Sequence, residues 1–149
     1  VRDDIRKALE KNKELNRLFN TIAFRGMLKG IENHLKLDEE LLYIRNANVQ
    51  IDNPSELKPN AFSIKGKQPA LLAVTNRRVI VYHKILFNEK VDQLPLGEIR
   101  SYDFRRDMFS SKLRVSAITK SIDIDLTCNA KETQHLNGIL EEVTRKTTL

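Results

Sequence analysis

A single cysteine, Cys128, stands in the 149 residues, which excludes an internal disulfide and any multi-cysteine zinc site. One lone thiol suits a reducing compartment, so the cytoplasm is the expected location. At the junction of a strand and a helix, Cys128 reads as a buried, inert thiol. Five glycines and four prolines are too few for a collagen-like or linker-type chain. No apolar run approaches the roughly 20 residues of a membrane span, and the start, VRDDIRKALE, lacks the apolar stretch of a signal peptide. The chain begins at Val1 rather than Met, and the expectation is a piece of a longer protein whose other segments could carry a targeting signal. Catalytic signatures are missing as well. There is no G-x-S-x-G elbow, no Gly-rich phosphate loop and no H-E-x-x-H, and the three histidines, His34, His83 and His135, lie far apart. No enzyme activity, metal site or cofactor is expected.

What remains is the composition of a foldable globular chain, 40% hydrophobic and 31% charged. At this length roughly 70% of the unfolded surface is buried on folding, enough for a core without staples. Lys and Arg number 26 against 20 Asp and Glu, a net +6. Residues 1 to 40 hold nine basic and eight acidic side chains, so nearly all the excess lies in the remaining 109. An anion-binding surface, if present, is expected there.

Along residues 3 to 24, apolar side chains at Ile5, Ala8, Leu9, Leu15, Leu18, Phe19, Ile22 and Ala23 follow one helical face, with Asp3 and Asp4 at its positive end. Gly26 and Gly30 weaken the helix, and Met27, Leu28, Ile31 and Leu35 predict a second short one. From residue 41 the period changes from 3.6 to 2. Leu42 and Ile44 share a face, whereas Ala47, Val49 and Ile51 continue on the other parity, which predicts a bulge near Arg45 and Asn46. After a long loop over 51–69 come ALLAVT and RVIVYH, joined tightly at Asn76 and Arg77, then EKVDQLP, IRSYDFRR, KLRVSAI and SIDIDLT. In the last of these Asp123 and Asp125 alternate with Ile122, Ile124 and Leu126, and their carboxylates are expected to face water. Asn129 and Glu132 then form a capping-box start for a helix carrying Leu136, Ile139, Leu140 and Val143.

Seven strands closed by one helix resembles a pleckstrin-homology (PH) domain. The stretches LLAVTNRRVIVYHKILF, LPLGEIRSYDF and KLRVSAITKSIDI resemble the bacterial PH-like family of the YokE-like type, through Thr75, Asn76, Arg78, Val79 to Tyr82, Pro95, Leu96 and Ile99. The resemblance covers about residues 27 to 145. It implies a mainly β, α+β fold: a bent, seven-stranded antiparallel sheet barrel, capped by the C-terminal helix and preceded by N-terminal helices. The expected division is an amphipathic extension over 1–25 and a PH-like domain over 26–149.

The resemblance also implies a noncatalytic binding module, and two surfaces suggest themselves. Apolar residues Leu15, Leu18, Phe19 and Ile22 of the first helix, with Met108 and Phe109 in a strand connection, are candidates for a protein partner or self-association. In PH domains the loops opposite the closing helix often bind anions, and here they would gather Lys58, Lys65, Lys67, Lys84, Lys90 and Lys120 against Asp52, Glu56 and Glu89. At about 1 kcal/mol per uncompensated lysine, such a surface supplies about 3 kcal/mol toward an anionic leaflet, a millimolar-grade attraction. Peripheral attachment at the inner membrane face is therefore the alternative to a protein-binding role. Nucleic acid is disfavoured, because Tyr102 and Phe104, which interleave with Arg100, Arg105, Arg106, Lys112 and Arg114, share the parity expected to face the interior.

Overall fold

In chain order come α1 (Asp3–Glu10), α2 (Ile22–His34), β1 (Leu41–Asp52), β2 (Gln68–Thr75), β3 (Arg78–Ile85), β4 (Asn88–Pro95), a 3-10 turn (Leu96–Glu98), β5 (Ile99–Arg106), β6 (Ser111–Ala117), β7 (Ser121–Leu126) and α3 (Ala130–Thr147). The computed structural model describes residues 2–10, 22–52, 68–85, 88–106, 110–126 and 130–147. The strands form one seven-stranded sheet in the order β4-β3-β2-β1-β7-β6-β5, with antiparallel registers in β2–β3, β1–β7, β7–β6 and β6–β5. No helix among the described residues is long and apolar enough to cross a membrane. Residues divide into two compact units, Val1–Asn46 with Ala70–Gln93, and Ala47–Pro69 with Leu94–Leu149.

The first unit is held by helices on strands. Register pairs Leu71–Tyr82 and Ala73–Ile80 place four apolar side chains on one face of the β2–β3 hairpin. Ile5 and Leu9, one turn apart on α1, join Phe24, Leu28, Ile31 and Leu35 in the same buried cluster, which also takes in Leu41 and Ile44. Each such side chain contributes about 1.5–3 kcal/mol on burial, so the apolar stripe of α1 is consumed within this unit. Polar ties fix the start of α1. The Asp4 carboxylate accepts the Leu41 N–H at 2.8 Å, while the Arg2 guanidinium donates to Asp4 at 3.1 Å, to the Lys36 carbonyl at 3.0 Å and to the Glu39 carbonyl.

Helix α2 differs from its sequence expectation. It starts at Ile22 and runs through both Gly26 and Gly30 to His34 without a break. The reason lies in packing: a Cβ on Gly30 would stand 2.1 Å from the Tyr82 hydroxyl oxygen, so glycine here admits the tyrosine ring. In β1 the buried face changes parity near Arg45, as the alternation predicted. The strand is continuous, and Tyr43, Ile44 and Arg45 are buried in succession where the buried face changes parity.

In the second unit, apolar rows cross four strands: Val49, Ile124, Leu113 and Phe104, then Ile51, Ile122, Val115 and Tyr102. The opposite face carries Gln50, Asp123, Arg114 and Asp103 in register. Asp123 is thus not simply solvated as the alternation suggested. It is half-buried, and its carboxylate lies 3.5 Å from the Arg114 guanidinium, because a directly opposed basic side chain is the nearest available counter-charge. Helix α3 buries Leu136, Leu140 and Val143, and Thr133 in its first turns shares a 2.8 Å hydrogen bond with Ser111 of β6.

The two α2 glycines give opposite expectations. Gly30→Ala gains about 1 kcal/mol of helix propensity but forces Tyr82 aside at an overpacking cost of about 1–3 kcal/mol, a net loss of up to about 2 kcal/mol. At Gly26 a Cβ meets only the flexible end of Lys84, at 3.4 Å, so Gly26→Ala should raise stability by about 0.5–1 kcal/mol. Urea midpoints of the two variants check both signs; a stabilised Gly30→Ala would contradict the packing role of that glycine.

Candidate functional site

The polar cluster richest in chemistry lies in the first unit. Glu39 is 1% exposed. Its carboxylate takes two bonds from Arg78, each of 2.8 Å, one from the Thr75 hydroxyl at 2.7 Å and one from the Lys36 N–H at 3.2 Å. Arg78 also donates to the His34 carbonyl at 2.7 Å and to Gln93 at 2.6 Å. The turn between β2 and β3 completes the clasp. Thr75 accepts the N–H groups of Arg77 and Arg78, Asn76 accepts the Glu40 N–H at 2.9 Å, and Arg77 pairs with Asp38. Burial pushes the Glu39 carboxyl up, but the bonds from Arg78, Thr75 and the Lys36 backbone, with the charge of Arg78, hold it at about 2 against an ordinary 4.5. A carboxylate so weakly basic, with its oxygens already engaged, cannot take a proton from a substrate at neutral pH.

A second cluster joins the end of α2 to the β3–β4 hairpin. Glu89 accepts from the Tyr82 hydroxyl at 2.8 Å and lies 3.1 Å from His34 Nε2. Burial, then the bond to Glu89 and its charge, push the Tyr82 hydroxyl up to about 12, while the Tyr82 and His34 bonds lower the Glu89 carboxyl. Tyr82 stays protonated at neutral pH, and the three tie the end of α2 to the hairpin. No group of three or more His, Cys, Asp or Glu that could hold a metal occurs among the described residues.

A concave surface opens in the second unit. A groove of about 650 Å³ runs between β5, through Ile99, Arg100, Ser101 and Tyr102, and α3, through Gly138, Glu141, Glu142, Thr144 and Arg145. Two features shape it. The β5–β6 register passes from Ile99–Ala117 to Ser101–Ser116, which leaves Arg100 as the extra residue of a β-bulge. Tyr102, half-buried and edge-to-face with Phe104 at 6.5 Å, bonds Thr144; its hydroxyl is pushed up by burial and by the charge of Glu141, partly offset by Thr144. The lining thus mixes two arginines, two glutamates and three hydroxyls around Ile99 and Gly138.

The Bacterial PH domain profile matches residues 35–142. The chain belongs to this family. Domains of this kind are generally noncatalytic modules that bind proteins or phospholipids, and the PH fold holds here as expected from the sequence: a seven-stranded antiparallel sheet, a C-terminal helix and helices at the N-terminal side. No curated protein matches the sequence. Among solved structures, the N-terminal PH domain of Vps36 is similar at 14% identity and a TM-score of 0.50, over 75% of this chain and 83% of that one. The linker-DH/PH domains of p115-RhoGEF match at 10% identity and TM-score 0.51, over 97% of this chain but 40% of that one. The activated truncation of Vav1 matches at 10% identity and TM-score 0.50, over 94% and 38%. At these identities the likeness shows the fold alone.

Most surface residues picked from the sequence of this PH domain lie outside the described residues: Lys58, Lys65, Lys67, Leu15, Leu18, Phe19, Met108 and Phe109, together with Cys128 and the cap residue Asn129. Ile22 opens α2. Lys84 and Lys90 are exposed in the first unit, where Lys84 lies near Glu89 and Lys90 is 3.9 Å from Asp92. Lys120 belongs to the second unit, half-buried in the β6–β7 turn. The residues Thr75, Asn76 and Arg78 that suggested the family turn out to build the clasp. Sequence reading missed the groove, whose one visible signal is Gly138, a glycine inside an otherwise regular amphipathic helix.

Because the folded Glu39 binds its proton less readily than the unfolded one, its contribution to stability is complete above pH 4.5 and is lost as pH falls toward 2. The full amount is about 3 kcal/mol. The stability difference between the wild-type PH domain and Glu39→Gln, read from urea melts at several pH values, should therefore shrink across that window. Parallel curves would contradict the clasp.

Proposed function

We propose that this PH domain is a noncatalytic module for protein–protein interaction, self-assembly included, and that it is of the YokE-like type suggested by Thr75, Asn76, Arg78 and the Pro95–Ile99 segment. The observation that carries the reading is the open groove beside β5, which presents an exposed arginine on a bulge. In this reading residues 1–25 are an extension of the domain over 26–149, with Ile5 and Leu9 sealing it to the α2 and β2–β3 core. Leu15, Leu18, Phe19, Ile22, Met108 and Phe109 remain proposed contact residues. The expected location is the cytoplasm.

The alternative is peripheral binding of an anionic phospholipid surface through Lys58, Lys65, Lys67, Lys84, Lys90 and Lys120, favoured by the basic excess after residue 40. It is the weaker reading, because Lys84 and Lys90 each have an acidic neighbour, and an attraction of about 3 kcal/mol is already no more than millimolar-grade before that loss. A nucleic-acid role gains no support, since Tyr102 and Phe104 are half-buried against each other rather than offered as a stacking platform.

Co-sedimentation with vesicles rich in anionic phospholipid separates the two. At physiological salt the wild type should stay in the supernatant, and changing Lys65, Lys67 and Lys120 to Ala should make no difference. Salt-sensitive binding abolished by those changes would favour the membrane reading. Light scattering on the full chain should reveal self-association, or pull-down a protein partner; a strict monomer that recovers none would contradict the interaction reading.

A further inference from the structure

We propose that the groove between β5 and α3 is a binding site for a neutral polyhydroxylated ligand, a saccharide of roughly one or two rings. The inference goes beyond the protein-interaction reading and names a chemistry for the groove itself.

The balance of charge in the lining is the first observation. Arg100 and Arg145 stand against Glu141 and Glu142, two of each sign. A guanidinium only donates hydrogen bonds, and a carboxylate only accepts them. An anion, which can only accept, is drawn by the arginines and repelled by the glutamates; a cation meets the converse. A hydroxyl both donates and accepts, so a ligand built of hydroxyls finds a use for every polar group here. Ser101, Tyr102 and Thr144 add hydroxyls of the same double kind to the lining.

The contacts already made are the second observation. Glu142 lies 2.9 Å from the Lys146 amine, and Glu141 accepts from Asn137 at 3.5 Å. These contacts offset the negative charge that would hold a cation or the ammonium group of a zwitterion. A carboxylate has about four lone-pair sites, however, and keeps some of them for a hydroxyl donor. On the other wall, the register shift leaves Arg100 out of the β6 ladder, and its exposed guanidinium has no ion pair among the described residues. Its rigid fork of N–H donors suits neighbouring hydroxyl oxygens on one ring.

Shape is the third. Ile99 and the half-buried ring of Tyr102, set edge-to-face with Phe104 at 6.5 Å, offer apolar surface for the C–H face of a sugar. Gly138 stands on the α3 wall, and a Cβ built on it would touch nothing within 4 Å. The domain's own packing therefore does not ask for glycine there, unlike Gly30 under Tyr82, although glycine weakens a helix interior. Bare backbone lets a ring lie close to the helix. The volume of about 650 Å³ falls within the usual range of ligand clefts.

The test titrates the full chain with glucose, N-acetylglucosamine, maltose and cellobiose, each to about 50 mM, and follows backbone amide shifts. At least one should give saturable shifts centred on residues 99–102 and 138–145, with an affinity indifferent to salt because the ligand is neutral. Arg100→Ala should weaken it about tenfold, the scale of one lost charge-assisted hydrogen bond. Gly138→Leu, which fills the α3 wall, should abolish binding without lowering the urea midpoint. A phosphorylated glucose and the zwitterion serine are the charged controls. Tighter binding of either control than of any neutral sugar, salt-sensitive binding, or shifts that neither variant alters would overturn the assignment, and so would the absence of any saturable shift. The protein-interaction reading is decided separately, by the light scattering and pull-down above.

Discussion

The ion pair of Glu39 and Arg78 is the interaction on which the first unit turns. Burying a carboxylate costs several kcal/mol per ion unless geometry and extra hydrogen bonds offset it. Here the offset is complete: two parallel bonds from the guanidinium, one from Thr75 and one from the Lys36 backbone leave no acceptor idle. The pair fastens three stretches of chain at once, since Arg78 also holds the last carbonyl of α2 at His34 and reaches Gln93 on β4. The direction in which β1 leaves Leu41 is set there, with Arg2 and Asp4 binding α1 to the same point.

Polar groups that satisfy one another make a different kind of surface from polar groups that do not. The clasp around Glu39 and the tie among Tyr82, Glu89 and His34 are closed, so they stabilise and transmit no chemistry. At the groove beside α3 the balance is reversed. A bulge takes one residue out of the ladder, a glycine bares a helix, and an arginine is left facing water. Membership of the bacterial PH domain family gives a scaffold that binds, and the difference between closed and open polarity says where on this member to look.

Strands were the most legible part of the sequence. The period-2 alternation placed all seven, with IRSYDFRR matching β5 residue for residue, because a sheet with one apolar face imposes its parity on every position. The Asn76–Arg77 connection was equally plain. Helices and sites were less so. The apparent weakness of α2 at Gly26 and Gly30 was misleading, since Gly30 exists for Tyr82, some fifty residues downstream. Glu39 is one of three successive acids, Asp38, Glu39 and Glu40, and its burial depends on Thr75 and Arg78, which no local pattern links to it. The Arg100 bulge is a mismatch between two strands and is invisible in either alone. Asp123 was assigned to water because its alternation shows only which face it occupies, not that Arg114 stands opposite.

The most direct measurement is a double-mutant cycle in which Glu39→Met and Arg78→Met are made singly and together, with stability read from urea unfolding at pH 7. If the clasp is a closed structural pair, each single change strands one buried charge and costs about 3–5 kcal/mol, while the double variant recovers most of that loss. Two single losses that simply add in the double variant, to within about 0.5 kcal/mol, would show that the two side chains do not depend on each other and would contradict the account.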